Sequence, residues 1–290
     1  MILPEKTEFS RWKPAACLRV TGDDAATFLQ GQYTNDLQVA PSKDGAVYGL
    51  LLNQKGKVVA DGFVRRVAER EFWIVSYELP AALIRERLEA YVVADDVVIE
   101  DATPEWEGIS WFCATTRSWP DGSWTFAGRR ATAANCEVIY PVASGPAMTA
   151  LLAGATEIDA EEIERRRLRA GIPAVPRDLG SSDLPNEGGL ERVAVSYTKG
   201  CYLGQEVMAR LKSMGQVRRR LVRVTGSGAI PASATSLFQG GRRVGELRSV
   251  VRDGAGWIGL AMVTLLGLKA GVFLARAAEL PADVTWEEIS

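Results

Sequence analysis

Apolar residues recur at two spacings along this chain, every second position in some stretches and every third or fourth in others. Stretches 46–52 and 57–67 read as two strands joined at Asn53-Gln54-Lys55-Gly56, a connection of hairpin composition. Asp61 and Gly62 interrupt the second, and a carboxylate there either lines a cavity or sits on an exposed edge strand. A third strand is predicted over 72–77. A helix then runs from Pro80 to about Tyr91, with Leu83, Ile84, Leu88 and Tyr91 on one face, and 97–100 is a strand. Stretches 108–113 and 123–127 suggest a hairpin turned by Pro120-Asp121-Gly122, followed by a strand at 137–142.

Two helix starts are legible. Thr21-Gly22-Asp23-Asp24 resembles a capping box opening a helix through Leu29 that Gly31 ends. Asp159 with Glu162 caps another, through Leu168, that stops at Gly171. An irregular passage, 172–189, follows; loops of that length usually carry function or mobility. After Leu221 short β-like runs separated by glycines predict a small barrel or sandwich. Strands and helices mixed without strict alternation make the fold class α+β. The division expected is 1–215, two interleaved subdomains, and 216–290, a C-terminal β domain.

Composition narrows the chemistry. The 290 residues contain no histidine, which excludes Ser-His-Asp and Cys-His nucleophilic pairs and His-ligated metals. Cys17, Cys113, Cys136 and Cys201 lie far apart with no CxxC pair, so no metal site is expected. No GxGxxG or P-loop sequence follows a strand. The longest apolar run, 257–268, falls short of the roughly 18 to 20 residues of a membrane span. The stretch Met1-Ile2-Leu3-Pro4-Glu5-Lys6 lacks a secretory pattern, so the expected location is cytoplasmic. Between Val207 and Gly245 there is no acidic residue, whereas Arg210, Lys212, Arg218, Arg219, Arg220, Arg223, Arg242 and Arg243 fall there. Such a window attracts anions or is a solvated face. A pI near 5.6 argues against a dedicated nucleic-acid binder.

Two short stretches concentrate reactive groups. Lys199-Gly200-Cys201-Tyr202-Leu203-Gly204-Gln205-Glu206 sets a thiol two residues from a lysine and close to a predicted helix start, both of which favour a thiolate; a buried inert cysteine is the alternative. Leu184-Pro185-Asn186-Glu187-Gly188-Gly189 holds an acid that can accept two parallel N–H bonds from a guanidine-like ring edge, unless it is an exposed loop acid.

The eight residues 199–206 resemble the signature of the YgfZ-type folate-binding proteins, relatives of the glycine-cleavage T-protein. Gly22-Asp23-Asp24-Ala25 through Phe28-Leu29-Gln30-Gly31, Thr34-Asn35-Asp36-Leu37, Gly49 to Gly56, Ile172-Pro173 and Leu184-Pro185-Asn186-Glu187 extend the likeness over most of 20–215. The resemblance implies domains around a central opening that binds tetrahydrofolate or a derivative, followed by a barrel-like β domain. It puts Glu187 on the pterin ring, makes Cys201 the functional thiol, and adds Lys199, Tyr202, Gln205 and Arg210 to the cofactor site, Arg210 by its charge. The implied role is assembly, maturation or repair of iron–sulfur proteins, including tRNA-modifying enzymes, with iron–sulfur assembly proteins or client enzymes as partners. A tetrahydrofolate-dependent aminomethyltransferase is the alternative. Phe72-Trp73-Ile74-Val75-Ser76-Tyr77-Glu78 stands where those enzymes carry an Asn-containing segment and a catalytic aspartate, which favours a non-enzymatic or weakly enzymatic factor.

Overall fold

A computed structural model describes residues 7–38, 45–113, 117–132, 135–277 and 283–289. The expectation for residues 1–6 lies outside them. The first half runs β1 (Glu8–Trp12), β2 (Ala16–Thr21), α1 (Ala25–Gln32), β3 (Val47–Leu52), β4 (Val58–Ala68), β5 (Glu71–Ser76), α2 (Ala81–Glu89) and β6 (Val98–Asp101). It continues with β7 (Trp106–Phe112), β8 (Trp124–Ala127), β9 (Cys136–Pro141), α3 (Gly145–Leu151), β10 (Thr156–Glu157) and α4 (Ala160–Arg169). Short α5 (Glu191–Ala194) and α6 (Gln205–Met214) precede β11 (Arg219–Ser227), β12 (Ser236–Gln239), β13 (Arg242–Asp253), β14 (Gly256–Thr264) and β15 (Val284–Glu288).

Among the described residues these strands form three five-stranded sheets, ordered β10-β1-β7-β9-β8, β3-β4-β5-β2-β6 and β12-β13-β14-β11-β15. The chain enters the first sheet with β1, builds the whole second sheet, then returns to finish the first. Both faces of the second sheet are apolar because both are covered. On one side Leu51, Ala60, Val64 and Ile74 pack under Phe28 and Leu29 of α1 and Ile84 and Leu88 of α2. On the other, Tyr48, Leu50, Leu52, Phe63 and Val75 meet Trp124, Phe126 and Ile139 of the first sheet. That central core also takes Val175, Leu179 and Leu190 from the irregular passage and Leu221, Val251, Ile258 and Leu260 from the C-terminal sheet.

Four sequence readings need correction. Helix α1 has no side-chain cap from Thr21, which ends β2; Asp24 is its N-cap residue and its carboxylate instead accepts the Asp96 N–H at 2.8 Å. Gly31 lies inside α1, which ends after Gln32. Strands β7 and β8 form no hairpin, since both pair with β9 and β7 pairs also with β1; the turn itself is present, with Ser123 N–H donating to the Pro120 carbonyl at 3.1 Å. Leu83 is exposed rather than part of the buried face of α2. The cap of α4 is as read, Asp159 accepting from the Glu162 N–H at 2.8 Å.

Candidate functional site

A cavity of about 340 Å³ lies between the first two sheets, within the usual size range of ligand sites. Trp12, Tyr48 and Tyr77 contribute aromatic wall; Asp61, Arg129 and Arg130 contribute charge; Ile163, Glu164 and Arg167 of α4 and residues 173–175 and 177 close it. The passage 172–189 therefore serves as a roof, and buried carboxylates hold it. Asp178 accepts the Ala174 N–H at 2.8 Å, Arg167 at 2.6 Å and the Ser249 hydroxyl at 2.5 Å.

Most of the cavity's charged groups are already partnered. Arg167 pairs with Glu164 and Asp178, Arg177 with Glu78 and Glu164, and Arg11 with Glu157. Tyr77 donates to buried Glu137 at 2.9 Å and accepts the Arg129 N–H at 3.2 Å, so its hydroxyl is already engaged. The Arg129 guanidinium lies 4.4 Å from the Tyr48 ring centroid, and that of Arg130 lies 4.1 Å from Tyr77's, an arrangement favourable to cations.

Asp61 differs. It occupies the middle of β4, which is flanked by β3 and β5, so the edge-strand alternative fails and the cavity reading stands. Its Oδ2 accepts the Tyr48 hydroxyl at 2.9 Å, but Oδ1 is buried with no partner. Desolvation pushes its carboxyl up to about 6, against the opposing pull of Tyr48 and Arg129. An unmet buried acceptor of this kind costs about 1–3 kcal/mol or more, which makes it a position that a donor would stabilise.

None of the six residues singled out by sequence lines this cavity. Glu187 does hold a guanidine edge, but from its own chain: Arg219 donates to both oxygens, at 3.0 and 2.9 Å, and Leu184 N–H adds a bond at 2.7 Å. A ligand could reach Glu187 only if Arg219 left. Lys199 is no thiol activator, because its ammonium points at α1 and donates at 2.7 Å to each of the carbonyls of Gln30, Tyr33 and Asn35. Those three bonds use every ammonium proton. Tyr202 is core, its hydroxyl unpartnered and raised to about 12 by burial. Gln205 opens α6 half-buried, and Arg210 is exposed on that helix.

Cys201 is exposed, in the loop ahead of α6, which removes the buried-cysteine alternative. Cys17, by contrast, is buried, and desolvation raises its thiol far out of the reactive range. The loop is held against the β3–β4 hairpin by close glycine contacts. Gly204 has φ +87°, and a Cβ there would come within 3.0 Å of the Asn53 carbonyl oxygen; one on Gly56 would meet Val207 at 2.8 Å. A second opening beside it is lined by Asn35, Asp36, Ser196, Tyr197 and Lys212, and shares Tyr48 with the central cavity.

Folding pairs half of the basic window with acids. Arg219 pairs with Asp183 and Glu187, Arg220 with Glu288, Arg223 with Glu287 and Arg243 with Glu246. Arg210, Lys212 and Arg218 remain exposed, with Lys212 over the Tyr197 ring at 4.3 Å. Sequence inspection flagged Asp61 but missed Arg129 and Arg130, which follow β8 with nothing nearby in sequence to mark them.

Residues 13–111 match the GCVT N-terminal domain family and residues 218–287 the CAF17 C-terminal β-barrel domain family. The mitochondrial iron-sulfur cluster assembly factor IBA57 of Homo sapiens is 29% identical over 287 residues, covering 90% of this chain and 78% of that protein. Its Mus musculus counterpart is 29% identical over 272 residues, 86% of this chain and 75% of that one. Among solved structures, the glycine cleavage system aminomethyltransferase T from Bartonella henselae superposes with a TM-score of 0.80 over 97% of this chain and 84% of that one, at 16% identity, a likeness of fold alone. The expected α+β architecture with a C-terminal β domain is thereby met: the fold is T-protein-like, with a region that matches the GCVT N-terminal domain family ahead of one that matches the CAF17 C-terminal β-barrel family.

Proposed function

We propose that this protein is a folate-dependent accessory factor for the assembly, maturation or repair of iron–sulfur proteins, of the YgfZ type within the T-protein-like group and acting in the cytoplasm. The observation that carries the reading is the likeness to the iron-sulfur cluster assembly factors, which spans both the GCVT and barrel regions and nine-tenths of the chain. The partners on this reading are iron–sulfur assembly proteins or client enzymes, tRNA-modifying ones included.

The cavity's chemistry fits a reduced folate. The unmet Oδ1 of Asp61 suits a ring N–H, and Arg129 suits a carboxylate of a glutamyl tail. A bound tetrahydrofolate supplies a nucleophilic nitrogen that carries one-carbon units. This chain's own residues bind and orient it: Tyr48 fixes the Asp61 carboxylate, and the 172–189 roof excludes water. Exposed Cys201 lies outside the cavity, placed to meet a partner rather than a buried ligand.

Complementation tests the role. In a strain lacking the protein, Cys201→Ala is expected to accumulate as a folded protein yet restore iron–sulfur enzyme activity only in part. Full restoration would remove the thiol from the reading, and failure of the unaltered gene to restore activity would remove the function.

A further inference from the structure

Part of the basic window that folding leaves unpaired gathers at one end of the C-terminal sheet. There the connector from α6 to β11, residues 215–218, runs beside the end of β14, and the Leu265 N–H donates to the Arg218 carbonyl at 2.9 Å. An open groove of about 690 Å³ lies along them, with Val217, Leu265 and Leu266 as apolar lining and Arg218 and Arg220 as its charged residues. Glu288 engages Arg220. Arg218 is exposed and has no acidic partner among the described residues, and neither has Arg242, which donates to the Leu266 carbonyl at 2.5 Å. Both segments that build the groove are free of acids, since no aspartate or glutamate occurs between Val207 and Gly245 or from Gly254 to Ala277.

The apolar side of this surface is presented on fixed backbone. Leu266 is 79% exposed, and Val272 and Phe273 of the same segment are exposed as well. Gln239 pins that segment, accepting the Lys269 N–H at 2.7 Å and donating to the carbonyls of Lys269 and Val272 at 3.0 and 3.2 Å. Apolar side chains held outward beside unpaired guanidinium groups contribute nothing to the core, and such patches mark contact surfaces.

We propose that this groove docks an acidic segment of a partner protein, with an aliphatic side chain seated on Leu265 and Leu266 and flanking carboxylates paired with Arg218 and Arg242. The existence of a protein partner rests on the assembly-factor reading; the surface and its chemistry do not depend on the cavity's ligand. Charge complementarity selects an acidic occupant, because both charged residues of the lining are arginines and a guanidinium takes a carboxylate through two parallel N–H bonds. Leu266 selects a protein, because phosphate-backbone contacts call for donors and not for an exposed leucine. Helix α6 joins the groove to the loop of exposed Cys201, and its ten residues span about 15 Å, so a partner seated in the groove has that thiol within reach.

The test uses the full chain and a fluorescein-labelled synthetic peptide of glutamates around a central leucine pair, with binding read by anisotropy at low salt. Saturable binding is expected, weakened about tenfold in Arg218→Glu and about fivefold in Leu266→Ser. Both positions are exposed, so both variants are expected to unfold in urea as the unaltered protein does. Two further peptides need no variant: serines in place of the leucine pair should weaken binding about fivefold, and glutamines in place of the glutamates should abolish it. Absence of saturable binding, or equal binding by the unaltered protein and both variants, overturns the proposal and leaves the assembly-factor reading to its own complementation test. An RNA duplex that binds more tightly than the peptide and is indifferent to Leu266→Ser would make the groove a nucleic-acid surface, and self-association lost in Leu266→Ser would make its occupant a second copy of the chain. Either result overturns the proposal.

Discussion

At the scale of single residues, Asp61 carries a stability prediction of its own. The charged and titratable groups around it are Tyr48 from β3, Arg129 after β8, Glu78 after β5, and Tyr33 behind the sheet. Desolvation outweighs them, so the folded-state carboxyl titrates near 6 against about 3.9 in an unfolded chain. The folded state therefore binds the proton more readily, and stability is lost as pH rises from about 4 through 6. Above that window the ionised acid is a standing cost. Asp61→Asn is expected to raise stability at pH 7.5 by about 1–3 kcal/mol, a gain that fades below about pH 4. Urea unfolding across that pH range measures it, and a variant less stable than wild type at pH 7.5 would contradict the account. A cavity residue kept at the expense of the fold is a familiar trade at functional sites. The sequence exposed the acid itself, because a carboxylate among strand-forming apolar residues is conspicuous. It could not expose the missing partner, which depends on where Arg129, 68 positions away, comes to lie.

At the scale of elements, legibility followed locality. The cap of α4 lies within four residues of sequence and was readable; the pairing of β7 and β8 was not, because β9, arriving later, takes both. The basic window misled for the same reason, its counter-charges coming from residues 183–187, 246 and 287–288. Lys199 is the sharpest case. Read locally it neighbours a thiol, but in the fold it caps the C-terminal end of α1, bonding the Gln30 and Tyr33 carbonyls there and the Asn35 carbonyl just beyond. Lys199→Met removes three charge-assisted bonds and leaves those carbonyls buried, for an expected loss of about 2–4 kcal/mol. Denaturant unfolding should register that loss, and Cys201→Ala in the exposed loop nearby should change stability by less than about 0.5 kcal/mol. Equal stabilities for Lys199→Met and wild type would mean that the cap is not formed.

At the scale of the molecule, the barrel is part of the central core, since Leu221, Val251, Ile258 and Leu260 pack there beside Leu50 and Phe63. A boundary near 215 is visible in sequence as a change of texture, yet polar contacts with buried acids cross it. Asp178 takes Ser249 of β13, and Glu187 with Asp183 takes Arg219 of β11. The second contact is the more informative because both acids are almost wholly buried while the arginine is partly exposed. Arg219→Met leaves Glu187 facing only the Leu184 N–H and Asp183 facing Arg248 at 3.5 Å. Uncompensated buried charge of that kind costs about 3–5 kcal/mol. Adding Glu187→Gln removes the charge left with only a backbone donor, so the double variant should recover at least about 1 kcal/mol relative to Arg219→Met alone. Urea titrations of the wild type, the two single variants and the double variant give the coupling directly. Simple addition of the two single losses would mean that Arg219 and Glu187 do not act as a pair.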